Sequence, residues 1–172
     1  PNFEHANLAR LGLGASLYRT GTFKGVDAIL APIPTEQMKG ELAQAPILRA
    51  NSLIQLAPAE IQNDEQRAKL HATLDEAIKL LAHFIASNPK SDQIPDAYVK
   101  MGLCNQLKAE QIQDEEQRKT TLKIGEETYG TLISKFAKHA LIPQATVEKA
   151  KCMIAAGNFD GGIAELKKFV SA

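Results

Sequence analysis

Four histidines (His5, His71, His83, His139), two cysteines (Cys104, Cys152) and two short acidic runs are the groups in this chain whose residue types could do chemistry. Histidine is the natural side chain for proton transfer near neutral pH and a common metal ligand. The four histidines lie in separate helical segments, without the His-x-x-x-His or His-x-x-Glu-His spacing that places two ligands on one helix face. The two cysteines are too few and too far apart for a disulfide framework or a zinc-ligand pair. The acidic runs are Asp64–Glu65 and Glu115–Glu116. Adjacent acids on a helix point about 100° apart, which suits neither a working carboxylate pair nor chelation. "LGLGAS" (11–16) contains G-x-G, but it lies inside a helical pattern with no strand before it, so it is no dinucleotide turn. No Ser, Cys or His sits in a nucleophile-elbow context. We expect no catalytic residue, no metal site and no cofactor.

The acidic runs belong to a stretch that occurs twice, "AEIQNDEQR" (59–67) and "AEQIQDEEQR" (109–118). In each, an Asn or Asp precedes a Gln by three residues: Asn63 and Gln66, Asp114 and Gln117. This is a capping-box arrangement, in which the cap side chain accepts an orphan amide and the residue at the third helical position reaches back. The acids then fall in the first helical turn and complement the helix dipole. The stretch predicts two helix starts.

Those starts fit the rest of the chain. Apolar residues recur at three- and four-residue spacing, as in Leu70, Leu74, Ala77, Ile78, Leu81, Phe84 and Ile85. No stretch alternates with the β-branched and aromatic enrichment of a strand. Breaks fall at 19–23, 31–36, 56–60, 88–96, 141–143 and 155–159, where Pro and Gly cluster. About eight helices result, joined as antiparallel hairpins.

The duplication extends beyond the acidic stretch. Ile47, Leu48, Gln55 and Leu56 match Tyr98, Val99, Gln106 and Leu107 at an offset of 51. "LLAHF" (80–84) matches "LISKF" (132–136) at 52, and "PDAYVKMGLC" (95–104) matches "PQATVEKAKC" (143–152) at 48. The repeat is therefore about 50 residues long, with two helices per unit. Leu53, Cys104 and Cys152 share one column of it, which makes the cysteines core thiols rather than redox or metal groups.

The terminal units carry a finer pattern. "LGASLYRTGTFKGVDAIL" (13–30) has Leu13–Gly14, Leu17, Tyr18, the turn residue Gly21, then Phe23 and Val26. The last unit has Ala150, Met153, Gly157, Phe159 and Gly162, and the third begins with Tyr98, Met101 and Gly102. This resembles the tetratricopeptide repeat (TPR). The small residues Gly14, Gly102 and Ala150 would let the helices of a hairpin approach closely, and Phe23 and Phe159 would fill the space between hairpins. The central units depart from the family's length of about 34 residues. Asn105 and Met153 replace the consensus Tyr, and Val26 and Gly162 the consensus Ala. Long degenerate units, and the stretch "FIASNPKSDQIPDAYVKMG" (84–102), are similar to TPR proteins of the bacterial cell envelope.

The resemblance implies an all-α fold: a right-handed superhelix of about four hairpins (1–34, 35–88, 93–139, 143–172) in one domain, 1–172. Its concave face would bind a peptide or partner domain through the first helix of each hairpin. The corresponding residues are Leu11, Ala15, Tyr18 and Arg19; Leu48, Ser52 and Gln55; Val99, Leu103 and Gln106; and Val147, Lys151 and Ile154. Burial of several of them between repeats is the alternative. The set lacks the Lys/Arg/Asn clamp that family members use on a peptide carboxylate. A periplasmic or cell-envelope location follows from the resemblance alone.

Composition limits the partners. Twenty basic and 20 acidic residues give no net charge and no basic stripe for nucleic acid. Aromatics are 5% with no Trp, which is poor material for a stacking platform. No apolar run reaches the roughly 20 residues of a membrane span. The chain begins at Pro1, and we read it as a fragment or processed form of a longer protein. The helix at 161–172, with Ile163, Leu166, Phe169 and Val170, is apolar enough to support self-association, so a structural or oligomerising segment of a larger envelope assembly is the alternative function. An enzyme assembled on the concave face has no feature in its favour.

Overall fold

Several helix boundaries in this protein are set locally, by capping side chains and prolines at starts and by the left-handed Gly21 and Gly157 after two of the ends. The computed structural model describes residues 5–58 and 60–170; Ala59 of the repeated stretch and the side chain of Phe169 lie outside the described residues. Among the described residues there are eight α-helices and no strand: α1 (Ala6–Arg19), α2 (Phe23–Leu30), α3 (Ala45–Gln55), α4 (Asp64–Ser87), α5 (Ile94–Glu110), α6 (Glu115–Lys135), α7 (Ile142–Ala155) and α8 (Phe159–Val170). Two short 3₁₀ turns, Thr35–Gln37 and Gly40–Leu42, fill the connection from α2 to α3.

Three of the first helices open in the same way. Ala45–Pro46, Ile94–Pro95 and Ile142–Pro143 begin α3, α5 and α7. Proline is tolerated in a first turn, where its missing N–H would have had no intrahelical partner, and its fixed φ is already helical. The breaks expected at 88–96 and 141–143 are therefore shorter, because their prolines start helices. The repeated stretch starts α4 and α6 as expected. Asn63 Oδ1 accepts from the Gln66 amide at 2.9 Å and Asp114 Oδ1 from the Gln117 amide at 2.8 Å. Gln66 Oε1 reaches back to the amide of Gln62, one residue before the cap, at 2.8 Å. The acids occupy the first turns, with Asp64 paired to Arg67 and Glu115 to Lys119.

The chain divides into two compact units, Pro1–Ile94 and Pro95–Ala172. In the first, α1 packs on α2, α2 on α3 and α3 on α4, with α1 also touching α3. Its interior is aliphatic: Val26, Leu30, Leu74, Leu81 and Phe84 are essentially inaccessible. Arg49 on α3 bridges α2 and α4 through Asp27 at 2.8 Å and Glu76 at 3.0 Å.

In the second unit α6 packs on α7 and α7 on α8. Val99, Tyr129, Leu132, Ala145 and Cys152 form one buried cluster from α5, α6 and α7. Leu53, Cys104 and Cys152 are all buried, and neither cysteine is in a disulfide. The small residues act as expected at two sites. A Cβ at Gly14 would stand 3.0 Å from the Leu30 side chain, and one at Gly102 would stand 2.3 Å from the ring of Tyr129. Phe159 does not fill a space between hairpins: it is 61% exposed, and Phe23 packs within its own hairpin, edge-on to Tyr18 at 5.5 Å.

Candidate functional site

The groove residues fall into two sets, one in each unit. In the first unit Leu11, Ala15 and Tyr18 are half-buried on α1, and Arg19 is exposed at its end. On α3, Leu48 is half-buried and Gln55 exposed. Ser52 is fully buried, and its hydroxyl donates to the Leu48 carbonyl one turn back at 2.9 Å, so it offers no group to a partner.

In the second unit Leu103 is 37% exposed on α5, while Val99 belongs to the buried cluster. Val147 and Ile154 are half-buried on α7, and Lys151 is exposed. Gln106 and Lys151 are brought into one hydrogen-bonded line. The Tyr129 hydroxyl on α6 donates to Gln106 Oε1 at 2.8 Å, and Gln106 Nε2 donates to Glu148 Oε2 at 3.1 Å. Lys151 Nζ donates to the other oxygen, Glu148 Oε1, at 2.8 Å. Three helices are thus tied by a chain that runs from a buried phenol to an exposed ammonium. A buried hydroxyl must find a partner or lose the free energy of its lost hydration. Here that requirement fixes the rotamer of Gln106.

Tyr129 and Glu148 escaped the sequence reading. Tyr129 lies in a helix whose apolar spacing marks it as core, and its ring does pack there, against Gly102. The signal that could have found it is a glycine in α5 that needs a bulky partner across the hairpin. Burial raises the Tyr129 phenol well above its ordinary range, with the thiol of Cys152 and the carboxylate of Glu148 adding to the shift. Burial also pushes the Cys152 thiol up to about 11, helped by Glu148 and Glu126 and opposed by a hydrogen bond to Gln106. A thiol held neutral in this way is a poor nucleophile.

The histidines do not converge. His71 and His83, expected in separate segments, share α4, where twelve residues of helix separate them by about 18 Å. His83 Nε2 lies 3.3 Å from Ser87 Oγ, and His139 Nδ1 accepts from the Leu141 amide at 3.2 Å. Among the described residues no three His, Cys, Asp or Glu side chains are grouped as a metal site. None of the described helices is long and apolar enough to cross a membrane.

Each copy of the repeated stretch opens on a surface recess. In the first unit Lys24, Leu56, Gln62, Gln66 and Lys69 border one of about 330 Å³. In the second, Ile112, Gln117, Thr120 and Thr121 border one of about 360 Å³. Gln66, Lys69 and Leu70 on the first recess correspond to Gln117, Thr120 and Thr121 on the second at the offset of 51, whereas the remaining lining residues differ. Both recesses form where a capped helix start turns away from the preceding helix. No protein-family model matches this chain, and no curated protein matches it.

Proposed function

We propose that this protein is a non-catalytic interaction scaffold, a TPR-like superhelix of four hairpins that holds a peptide or a partner domain against the first helices of its hairpins. The Tyr129–Gln106–Glu148–Lys151 line carries this reading. It presents an amide, a carboxylate and an ammonium at fixed positions beside the exposed Leu103, and the buried phenol holds the row in place from behind. Preorganised polar groups beside an apolar contact favour recognition, because little side-chain freedom is lost on binding. The row carries both signs of charge, so it suits a partner segment of mixed charge better than a peptide C-terminus held by a cationic clamp. The resemblance to long-unit TPR proteins supports a bacterial periplasmic or cell-envelope setting.

The test is affinity capture from a native extract, with the Leu103→Asp/Lys151→Glu double variant as control. Both side chains are exposed, so the variant keeps its fold. Loss of one captured protein or peptide with the variant is the expected result. Equal capture by both forms, or no capture while a turnover screen scores, overturns the reading.

A second reading, a structural or oligomerising segment of a larger envelope assembly, is favoured by the apolar side chains that α8 leaves exposed.

A further inference from the structure

The first and last hairpins are built to one plan. Their turns share a backbone pattern at an offset of 136: Thr22 N to Leu17 O and Asn158 N to Met153 O, each at 2.9 Å, with Gly21 N to Tyr18 O at 3.1 Å matching Gly157 N to Ile154 O at 2.9 Å. Gly21 and Gly157 are both left-handed, with φ of 73° and 91°. Leu17 closes over Gly25 as Met153 closes over Gly161. Residue-by-residue equivalence between α1–α2 and α7–α8 is therefore a geometric fact, and it shows which faces the rest of the chain covers in one hairpin and leaves bare in the other.

On α2 the covered face includes Asp27, which meets Arg49 of the following helix α3. Its equivalent on α8 is Ile163, 47% exposed; Phe159, whose counterpart Phe23 packs on Tyr18 within its own hairpin, and Val170 extend the same side of α8 and are 61% and 84% exposed. Spacings of four and seven residues put these three on one side of the helix. On α7 the face turned to the preceding helix α6 carries Ala145, Lys149 and Cys152: Cys152 Sγ lies 3.3 Å from the position a Cβ would take on Gly125, and Lys149 Cε 3.9 Å from that on Gly130. Their equivalents on α1 are Ala9, Leu13 and Ser16, all exposed. The uncharged α1 face is a row of small residues around one Leu. The uncovered α8 face is a row of large apolar residues. Large side chains on one helix seat between small ones on another, the ordinary way two helices pack.

We propose that a second copy of this chain supplies the occupant: α8 of one copy packs on the Ala9–Leu13–Ser16 face of α1 of the next, repeating the contact that α2 makes with α3 and α6 with α7. The two faces differ, so the contact is head-to-tail and generates rings or open chains rather than a closed two-fold dimer. This inference is independent of the interaction-scaffold reading, since Leu11, Ala15 and Tyr18 lie on the opposite side of α1 from Leu13.

Sedimentation velocity over a concentration series tests it, using the whole chain, Leu13→Asp, Ile163→Asp and an equimolar mixture of the two variants. Both positions are half exposed, and a helical circular dichroism spectrum with a cooperative melt, compared at a dilution where the unaltered chain is monomeric, confirms that each variant folds. The unaltered chain should grow past a dimer as concentration rises, each variant alone should stay monomeric, and the mixture should stop at a dimer, because one bare tail meets one bare head. A chain that stays monomeric to its solubility limit overturns the proposal. So does either variant that self-associates alone, as a tail-to-tail pair would in Leu13→Asp, and so does a mixture that remains monomeric.

Discussion

The hairpins α3–α4 and α5–α6 start from the same instruction and fill their interiors differently. Both second helices begin at a capped Asn or Asp followed by two acids, and the column of Leu53 and Cys104 is buried in both. At the crossing point, however, α5 has Gly102 where α3 has Asn51. Gly102 admits the ring of Tyr129, which then reaches Gln106. Asn51 leaves its Oδ1 buried without a hydrogen-bond partner, and Gln55, the counterpart of Gln106, is exposed. The two hairpins share the parts that set helix boundaries, which depend on a few local residues. They differ at the crossing, where what matters is the volumes that meet across the helices.

The contrast can be broken at three points, and the α7–α8 hairpin adds a fourth test, from the largest expected effect to the smallest. Gly102→Ala forces the Tyr129 ring out of its place, and we expect a loss of about 1–3 kcal/mol in urea unfolding, from overpacking that exceeds the helix-propensity gain. The matching Asn51→Ala should be neutral or slightly stabilising, because it removes an unsatisfied buried acceptor. Equal costs at the two sites would end the distinction between the hairpins.

Next come the shared caps. Asn63→Ala and Asp114→Ala should each cost about 1 kcal/mol, and by the same amount within error, since both side chains satisfy an equivalent amide. A large inequality in their melting temperatures would mean that the duplicated stretch does different work in the two places. Tyr129→Phe removes one hydrogen bond and keeps the ring, so about 0.5–1.5 kcal/mol is expected. It should also broaden the side-chain amide resonances of Gln106 in an NMR spectrum, whereas Ile78→Val in the partner hairpin should leave Gln55 unchanged.

The smallest effect is one of pH. Lys149 donates to Glu165 at 2.9 Å between α7 and α8, and this hydrogen bond lowers the Glu165 carboxyl below its ordinary 4.5, against a partial desolvation. A carboxyl depressed in the folded state stabilises the fold above its unfolded value and loses that contribution as pH falls through the folded one. The urea midpoint of the unaltered chain should therefore fall more steeply below about pH 4.5 than that of Glu165→Gln. Parallel curves would show that the pair contributes nothing.

Much of the fold was legible because helix boundaries are local. The capping pairs at Asn63 and Asp114, the Gly21 and Gly157 turns and the apolar spacing of α4 each act within a few residues, so one sequence displays them. The prolines were legible as breaks yet misjudged in direction, since the same ring that ends a helix can start the next. Phe159 was misread for a different reason: its pattern matches Phe23, but what covers a side chain depends on what packs beyond it. The candidate site was half visible. Gln106 and Lys151 were found by register, whereas Glu148 and Tyr129 join them through contacts spanning 42 and 23 residues of sequence.

By itself, then, the sequence determined an all-helical chain, its repeat of about 50 residues, the starts of α4 and α6 and the burial of both cysteines, because each rests on periodicity or on a short-range hydrogen bond. Only the tertiary structure decided which hairpin crossing took a tyrosine, that Gln106 is held from behind by a buried phenol, that Ser52 is closed to a partner, and that α8 and one side of α1 stay uncovered. Those outcomes depend on volumes and polar atoms that meet across helices, and a linear pattern does not record what lies on the other side of a contact.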